Sequence, residues 1–151
     1  MNIVFRRFEE KDRNDFFSMV KKFYAPPAVL HFPSDDVMMS AFDESLKDNG
    51  FVYGYIFEAD GSPAGYSVVS MKFETEVGGL AAWIEELFVE EAYRSQGIGK
   101  DFFEFIEKEF AGKIRRIRLE AGEDNLGAIK LYKKLGFEFL DYKQMTIDKD
   151  F

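Results

Sequence analysis

The sequence predicts a mixed α/β fold, in which one sheet is flanked by helices within a single domain over residues 1–151. Three observations predict it. Segments with a two-residue apolar period alternate with segments of helical period, in the order strand, two helices, three strands, helix, strand, helix, two strands. The length of 151 residues suits one domain rather than two. A hydrophobic content of 46%, with eighteen Phe, is enough to build a core without disulfides or metals.

Residues 2–8, NIVFRRF, are rich in strand formers. Phe16, Met19, Val20 and Phe23 then recur at helical spacing. Pro26, Pro27 and Pro33 interrupt the pattern, and Ser34 or Asp35 is placed to cap a second helix carrying Val37, Met38, Ala41, Phe42 and Leu46, which Asn49-Gly50 ends. FVYGYIFEA and AGYSVVSMKF flank the turn Asp60-Gly61-Ser62-Pro63 as an antiparallel hairpin. LAAWIEELFV is apolar except for two adjacent carboxylates, as a strand covered on both faces would be. Ile98, Phe102, Phe105 and Ile106 mark a helix, and Ile117, Leu119 and Ala121 alternate along a strand. LGAIKLYKKLG is a helix stopped at Gly136, and FEFL and YKQMTID read as closing strands.

Composition excludes several chemistries. The chain has no Cys and one His, His31, which removes thiolate zinc sites and cysteine nucleophiles and leaves any Ser-His-Asp triad dependent on one imidazole. No metal site is expected. The net charge of -8 provides no general attraction for nucleic acid and favours cationic partners. No stretch approaches the roughly 18 consecutive apolar residues of a membrane span, so the expectation is a soluble, cytoplasmic protein.

The strongest local signal is Arg94-Ser95-Gln96-Gly97-Ile98-Gly99-Lys100, between a strand ending at Val89 and a helix beginning near Ile98. Glycines let the backbone approach a phosphate, and the unpaired N–H groups and positive dipole end of the helix face the negative charge. The loop is not a P-loop, because Lys100 precedes Asp101, nor a dinucleotide fingerprint, because Phe102 holds the third glycine position. A tight turn with a glycine cap is the plain structural alternative.

Arg94, Gly97 and Gly99 resemble the acetyl-CoA loop of the GNAT N-acetyltransferases, Arg/Gln-x-x-Gly-x-Gly/Ala after a strand. The stretch from Asn125 to Phe137 resembles that family's later motif, N-x-x-A-x-x-L-Y-x-x-x-G-F. Ser95 stands where the family usually has Gly, and Glu91 where it has Pro. The resemblance implies a central mixed sheet of six to seven strands with about four helices, and acetyl-CoA as co-substrate. It implies that Arg94 through Lys100 hold pyrophosphate. It also implies that backbone around Leu87, Phe88 and Val89 orients the thioester and stabilises the oxyanion, that Asn125 and Ala128 share a groove with Tyr132, and that Tyr132 protonates the leaving thiolate. A phenol of pKa about 10 suits a thiol of about 8.5. Lys100, Lys130, Lys133 and Lys134 supply local positive charge for CoA.

An ammonium acceptor must lose a proton before attack, which calls for a carboxylate. Glu85, Glu86 and Glu120 compete. Strand alternation groups Glu85 with Trp83, Leu87 and Val89, and Glu86 with Ile84 and Phe88, and a bulge would reverse this. Glu120 stands twelve residues before Tyr132, a spacing similar to the carboxylate and tyrosine of the ribosomal-protein acetylating branch, with a salt bridge to Arg118 as its structural alternative. Glu85 and Glu120 rank ahead of Glu86. His31 lies in the segment that lines the acceptor site in the family, with Tyr24, Phe32 and residues 75–79 as neighbours.

The reading is therefore an N-acetyltransferase moving an acetyl group from acetyl-CoA to a primary amine, small molecule or peptide, by direct attack. Homodimers are frequent in the family, and the terminal strands are placed to pair across chains. Two alternatives stand beside it, a non-catalytic acyl-CoA-binding module and a Phe-rich partner-binding domain.

Overall fold

The computed structural model describes residues 1–25 and 32–149. His31, Pro26 and Pro27 lie outside the described residues. The chain falls into two compact units, Met1–Glu120 and Ala121–Phe151.

In the first unit the sheet has the linear order β1 (Ile3–Arg7), β2 (Val52–Ala59), β3 (Ser62–Glu74), β4 (Gly79–Val89), β5 (Ile114–Leu119). The first three pairings are antiparallel and β4 to β5 is parallel. The parallel pair requires a crossover, and α3 (Ile98–Glu109) provides it. α1 (Arg13–Phe23) and α2 (Asp35–Leu46) lie between β1 and β2 in sequence. Ser34 starts α2, its hydroxyl accepting from the Val37 N–H at 3.4 Å.

Strand alternation divides the aromatic residues between two layers. Ile56, Tyr66, Val68 and Phe88 project from one face of the sheet and pack with Phe16, Met19 and Val20 of α1 and Met38 and Phe42 of α2. Tyr55 and Phe57, on the opposite face of β2, meet Phe102 of α3, with Phe5 joining at ring-centroid distances of 5.0 and 5.5 Å from Phe57 and Phe102. β1 is tied down by charge: Arg6 donates to both oxygens of Asp12 at 2.8 Å and to Glu58 at 2.6 Å.

In the second unit α4 (Leu126–Lys134) is the one regular element among the described residues. Asn125 caps it, its side-chain oxygen accepting from the Ala128 N–H at 3.3 Å. At the other end the Gly136 N–H donates to the Lys133 carbonyl and the Phe137 N–H to the Tyr132 carbonyl, at 3.1 and 3.0 Å. This double stop requires the left-handed conformation at Gly136, whose φ is 92°. The ring of Phe137 meets that of Tyr132 at 5.7 Å, the apolar contact that accompanies such a stop. The spacing Tyr-x-x-x-Gly-Phe is thus explained locally by how a helix ends.

The sheet has five strands rather than six to seven. The expected closing strands FEFL and YKQMTID carry no strand pairing over 137–149, and Phe139, Tyr142, Met145 and Ile147 are exposed. Their apolar and aromatic composition is strand-like, but a strand exists only through its ladder partner, and two short strands alone are marginal in water.

Candidate active site

β4 carries two of the candidate carboxylates, and its alternation breaks once. Glu86 pairs with Val68 of β3 while Ile84 pairs with Val69, so Glu85 is an extra residue at a bulge. Val68 and Ser70 share a face of β3, so their partners Glu86 and Trp83 share a face too. The bulge thus places Glu86 on the face of Trp83, where simple alternation put it on the face of Ile84. Glu85 is exposed and contacts the Ser70 hydroxyl, while Glu86 is buried.

The Glu86 carboxylate is held by two phenols. Tyr24, just past α1, donates to Oε1 at 2.6 Å, and Tyr66 of β3 donates to Oε2 at 2.8 Å. The Ser67 hydroxyl donates to the Glu86 carbonyl at 2.7 Å and holds the backbone. Burial pushes the Glu86 carboxyl up; the two phenols pull it back, the Glu85 charge adds to the rise, and it ends above the ordinary glutamate range. Burial and the same carboxylate keep both phenols protonated well past their usual range. A buried carboxyl with a raised pKa suits a general base.

Farther along the same face Glu74 shows the opposite case. It is buried, yet Arg116 at 2.6 Å, the Trp83 indole N–H at 3.0 Å and Arg118 at 3.2 Å all donate to it. Burial pushes its carboxyl up, and these donors outweigh that and hold it below the usual range. Arg118, the expected partner for Glu120, also stacks on Trp83 at 4.2 Å. Glu120 lies just past β5 and is exposed.

Pairing of β4 with β5 ends at Ile84 with Leu119. Residues 85–89 therefore have strand pairing on the β3 side alone among the described residues, and the parting of the two strands begins at the bulge. Leu87, Phe88 and Val89 lie along this stretch. Such a divergence of neighbouring strands is where α/β sheets hold ligands.

The glycine loop follows directly. Gly97 caps α3 at φ 86° with no side-chain cap, so the amides of the first turn are left for another acceptor. A side chain at 97 would meet no protein atom within 4 Å. Ser95, in place of the family's glycine, holds φ 60°. Arg94 fastens the loop to β4, donating to the Val89 carbonyl at 2.8 Å and lying over Phe88 at 5.6 Å. Gln96 donates to the Ala92 carbonyl at 3.1 Å, Ile98 is buried as the anchor of the helix, and Lys100 pairs with Glu104 at 2.6 Å. This cradle of uncapped amides fits a pyrophosphate.

The sequence profile of the acetyltransferase (GNAT) family matches residues 13–137. The chain belongs to the GNAT acetyltransferase family. It is 36% identical over 59 residues to a spermine/spermidine N(1)-acetyltransferase of Bacillus subtilis, a match covering 38% of this chain and 39% of that protein. It is 29% identical over 140 residues to an uncharacterized N-acetyltransferase of Methanocaldococcus jannaschii, covering 88% of this chain and 59% of that one. The fold is shared with a possible acetyltransferase from Clostridium difficile (TM-score 0.83, 17% identity, 100% of both chains). It is also shared with the aminoglycoside acetyltransferase AAC(6')-Iy, solved with a CoA bisubstrate analogue (TM-score 0.79, 18% identity, 99% of this chain and 100% of that one).

Tyr132 of α4 belongs to the second unit, where burial raises its phenol above the ordinary value. Tyr66 and Ser70 were not legible as site residues. The available signal was chemical: a tyrosine in an apolar strand needs a partner for its hydroxyl, and a glutamate in the next apolar strand needs donors. Among the described residues no cluster of potential ligands suits a metal ion, and no helix is long and apolar enough to cross a membrane.

Proposed function

We propose that the protein moves an acetyl group from acetyl-CoA to a primary amine by direct attack, with Glu86 as the general base. The observation that carries this reading is the buried Glu86 carboxylate, at the point where β4 and β5 part and on the strand that leads into the glycine loop at Gly97. Acetyl-CoA supplies the activated thioester. The first-turn amides of α3 and Arg94 to Lys100 hold its pyrophosphate, and backbone over Leu87 to Val89 polarises the carbonyl. Glu86 takes the proton from the acceptor ammonium, and Tyr132 protonates the leaving thiolate. Asn125 and Ala128 act with Tyr132 through the cap they form on α4, and Glu85 and Glu120 add negative charge for the acceptor.

The acceptor is a cationic amine of the polyamine or aminoglycoside type. The net charge of -8 and the two named relatives favour it. A Phe-rich docking domain is disfavoured, because Phe8, Phe16, Phe42, Phe57, Phe88, Phe102, Phe103 and Phe110 are buried.

The test is thiol release from acetyl-CoA with a panel of amines. Wild-type protein acetylates a polyamine or aminoglycoside, and Glu86→Gln lowers kcat about 100-fold or more and removes the ascending limb of the pH-rate profile. A Gln variant with the wild-type profile would return the role to Glu85, Glu120 or solvent.

A further inference from the structure

We propose that Tyr24 and Tyr66 are positioning residues: the two phenols clamp the Glu86 carboxylate from opposite oxygens, and so fix its direction and keep it ionised inside an apolar wall. This rests on the reading of Glu86 as the base and deepens it. Each phenol is locked by its own ring contacts. Tyr66 is fully buried, edge-on to Phe16 at 4.9 Å and near Phe88 at 5.9 Å, and Tyr24 lies edge-on to Phe23 at 4.9 Å. Both hydroxyls point at one carboxylate from two elements that meet there, the end of α1 and the middle of β3.

The choice of neutral donors decides what the carboxylate can do. Glu74, held by two guanidinium groups, is fixed as an anion. Phenols stabilise the Glu86 anion without neutralising it, so it remains able to accept a proton. The titratable groups that bear on it among the described residues are Tyr24, Tyr66 and Glu85. Each carboxylate oxygen keeps a second lone pair beyond its phenol. Tyr24 is half-buried and Tyr66 fully buried, so Tyr24 is the more accessible of the two phenol-bearing residues.

The experiment is a carbon-13 titration of glutamate-labelled protein, with the Glu86 signal assigned by its loss in Glu86→Gln, run beside pH profiles of kcat/KM. Tyr24→Phe removes one donor at a half-exposed position and leaves the ring in place. It should move the Glu86 titration upward by about one pH unit or more and carry the ascending limb with it. Tyr66→Phe, where it folds, should do the same. An unmoved Glu86 signal in Tyr24→Phe overturns the clamp and leaves the base assignment untouched. A shifted signal with an unshifted rate profile overturns its role in the reaction. A Glu86→Gln protein with wild-type rates overturns the base assignment and the clamp's catalytic role together.

Discussion

Glu86 and Asp12 are both buried carboxylates, and what faces them sends them in opposite directions. Glu86 meets phenols and the charge of Glu85, and its carboxyl lies above the ordinary range. A group whose folded pKa is raised contributes stability that is present below the unfolded value, about 4.3 for glutamate, and is lost as pH rises through the folded value. Glu86→Gln removes that loss. Its melting temperature, measured relative to wild type, should therefore rise as pH climbs above about 4, and a constant difference would contradict the raised value. The same variant is expected to be inactive, as when a functional site holds a destabilising charge. Gly97 is a residue of another kind, since its conformation rather than a side chain makes the cradle. Gly97→Asp places a carboxylate at φ 86° and in front of the first-turn amides. Acetyl-CoA binding measured by calorimetry should fall below detection, while a surface variant such as Lys108→Ala should leave it unchanged.

At the scale of elements, the bulge in β4 matters most. Two adjacent glutamates in an apolar strand were legible as an anomaly, and the bulge was legible as a possibility, but which carboxylate it buries was not. A bulge is set by the register with β3, where Val68 and Val69 pair across the extra residue, and register is a property of two strands. The glycine loop was legible in full, since Gly97 caps α3 through local geometry. So were the two ends of α4, where Asn125 caps the first turn and Gly136 and Phe137 close the last. The closing strands failed for the converse reason. β1 shows how an edge strand is secured when partners are present: Arg6 bridges Asp12 and Glu58. Burial raises the Asp12 carboxyl, but the Arg6 hydrogen bonds, the Glu9 amide and the Arg6 charge outweigh it, leaving it depressed. A depressed carboxylate stabilises the fold above the unfolded pKa and loses that contribution as pH falls through the folded value. Asp12→Asn should therefore cost about 1.5–3 kcal/mol at neutral pH by urea unfolding, with the gap closing below about pH 4.

For the whole molecule, charge is the property that bears on the substrate. A net charge of -8 attracts cations, the proposed acceptor among them, over distances longer than any contact, and salt screens it. KM for a polyamine acceptor should rise several-fold between about 20 and 300 mM salt, while KM for a neutral amine analogue stays within twofold. A flat salt response for the polyamine would argue for recognition by contacts alone. The sequence by itself determined the element order as far as α4, the helix caps, the turn at Gly97 and the family, because each is written in spacings of a few residues that act through local backbone geometry. Tertiary structure alone decided that Glu86 is the buried one of the two adjacent β4 glutamates, that Tyr24 and Tyr66 meet on it, and that Arg118 serves Glu74. Those groups are separated by 62, 20 and 44 residues. Their meeting depends on strand register and on where α1 packs, which no local pattern encodes.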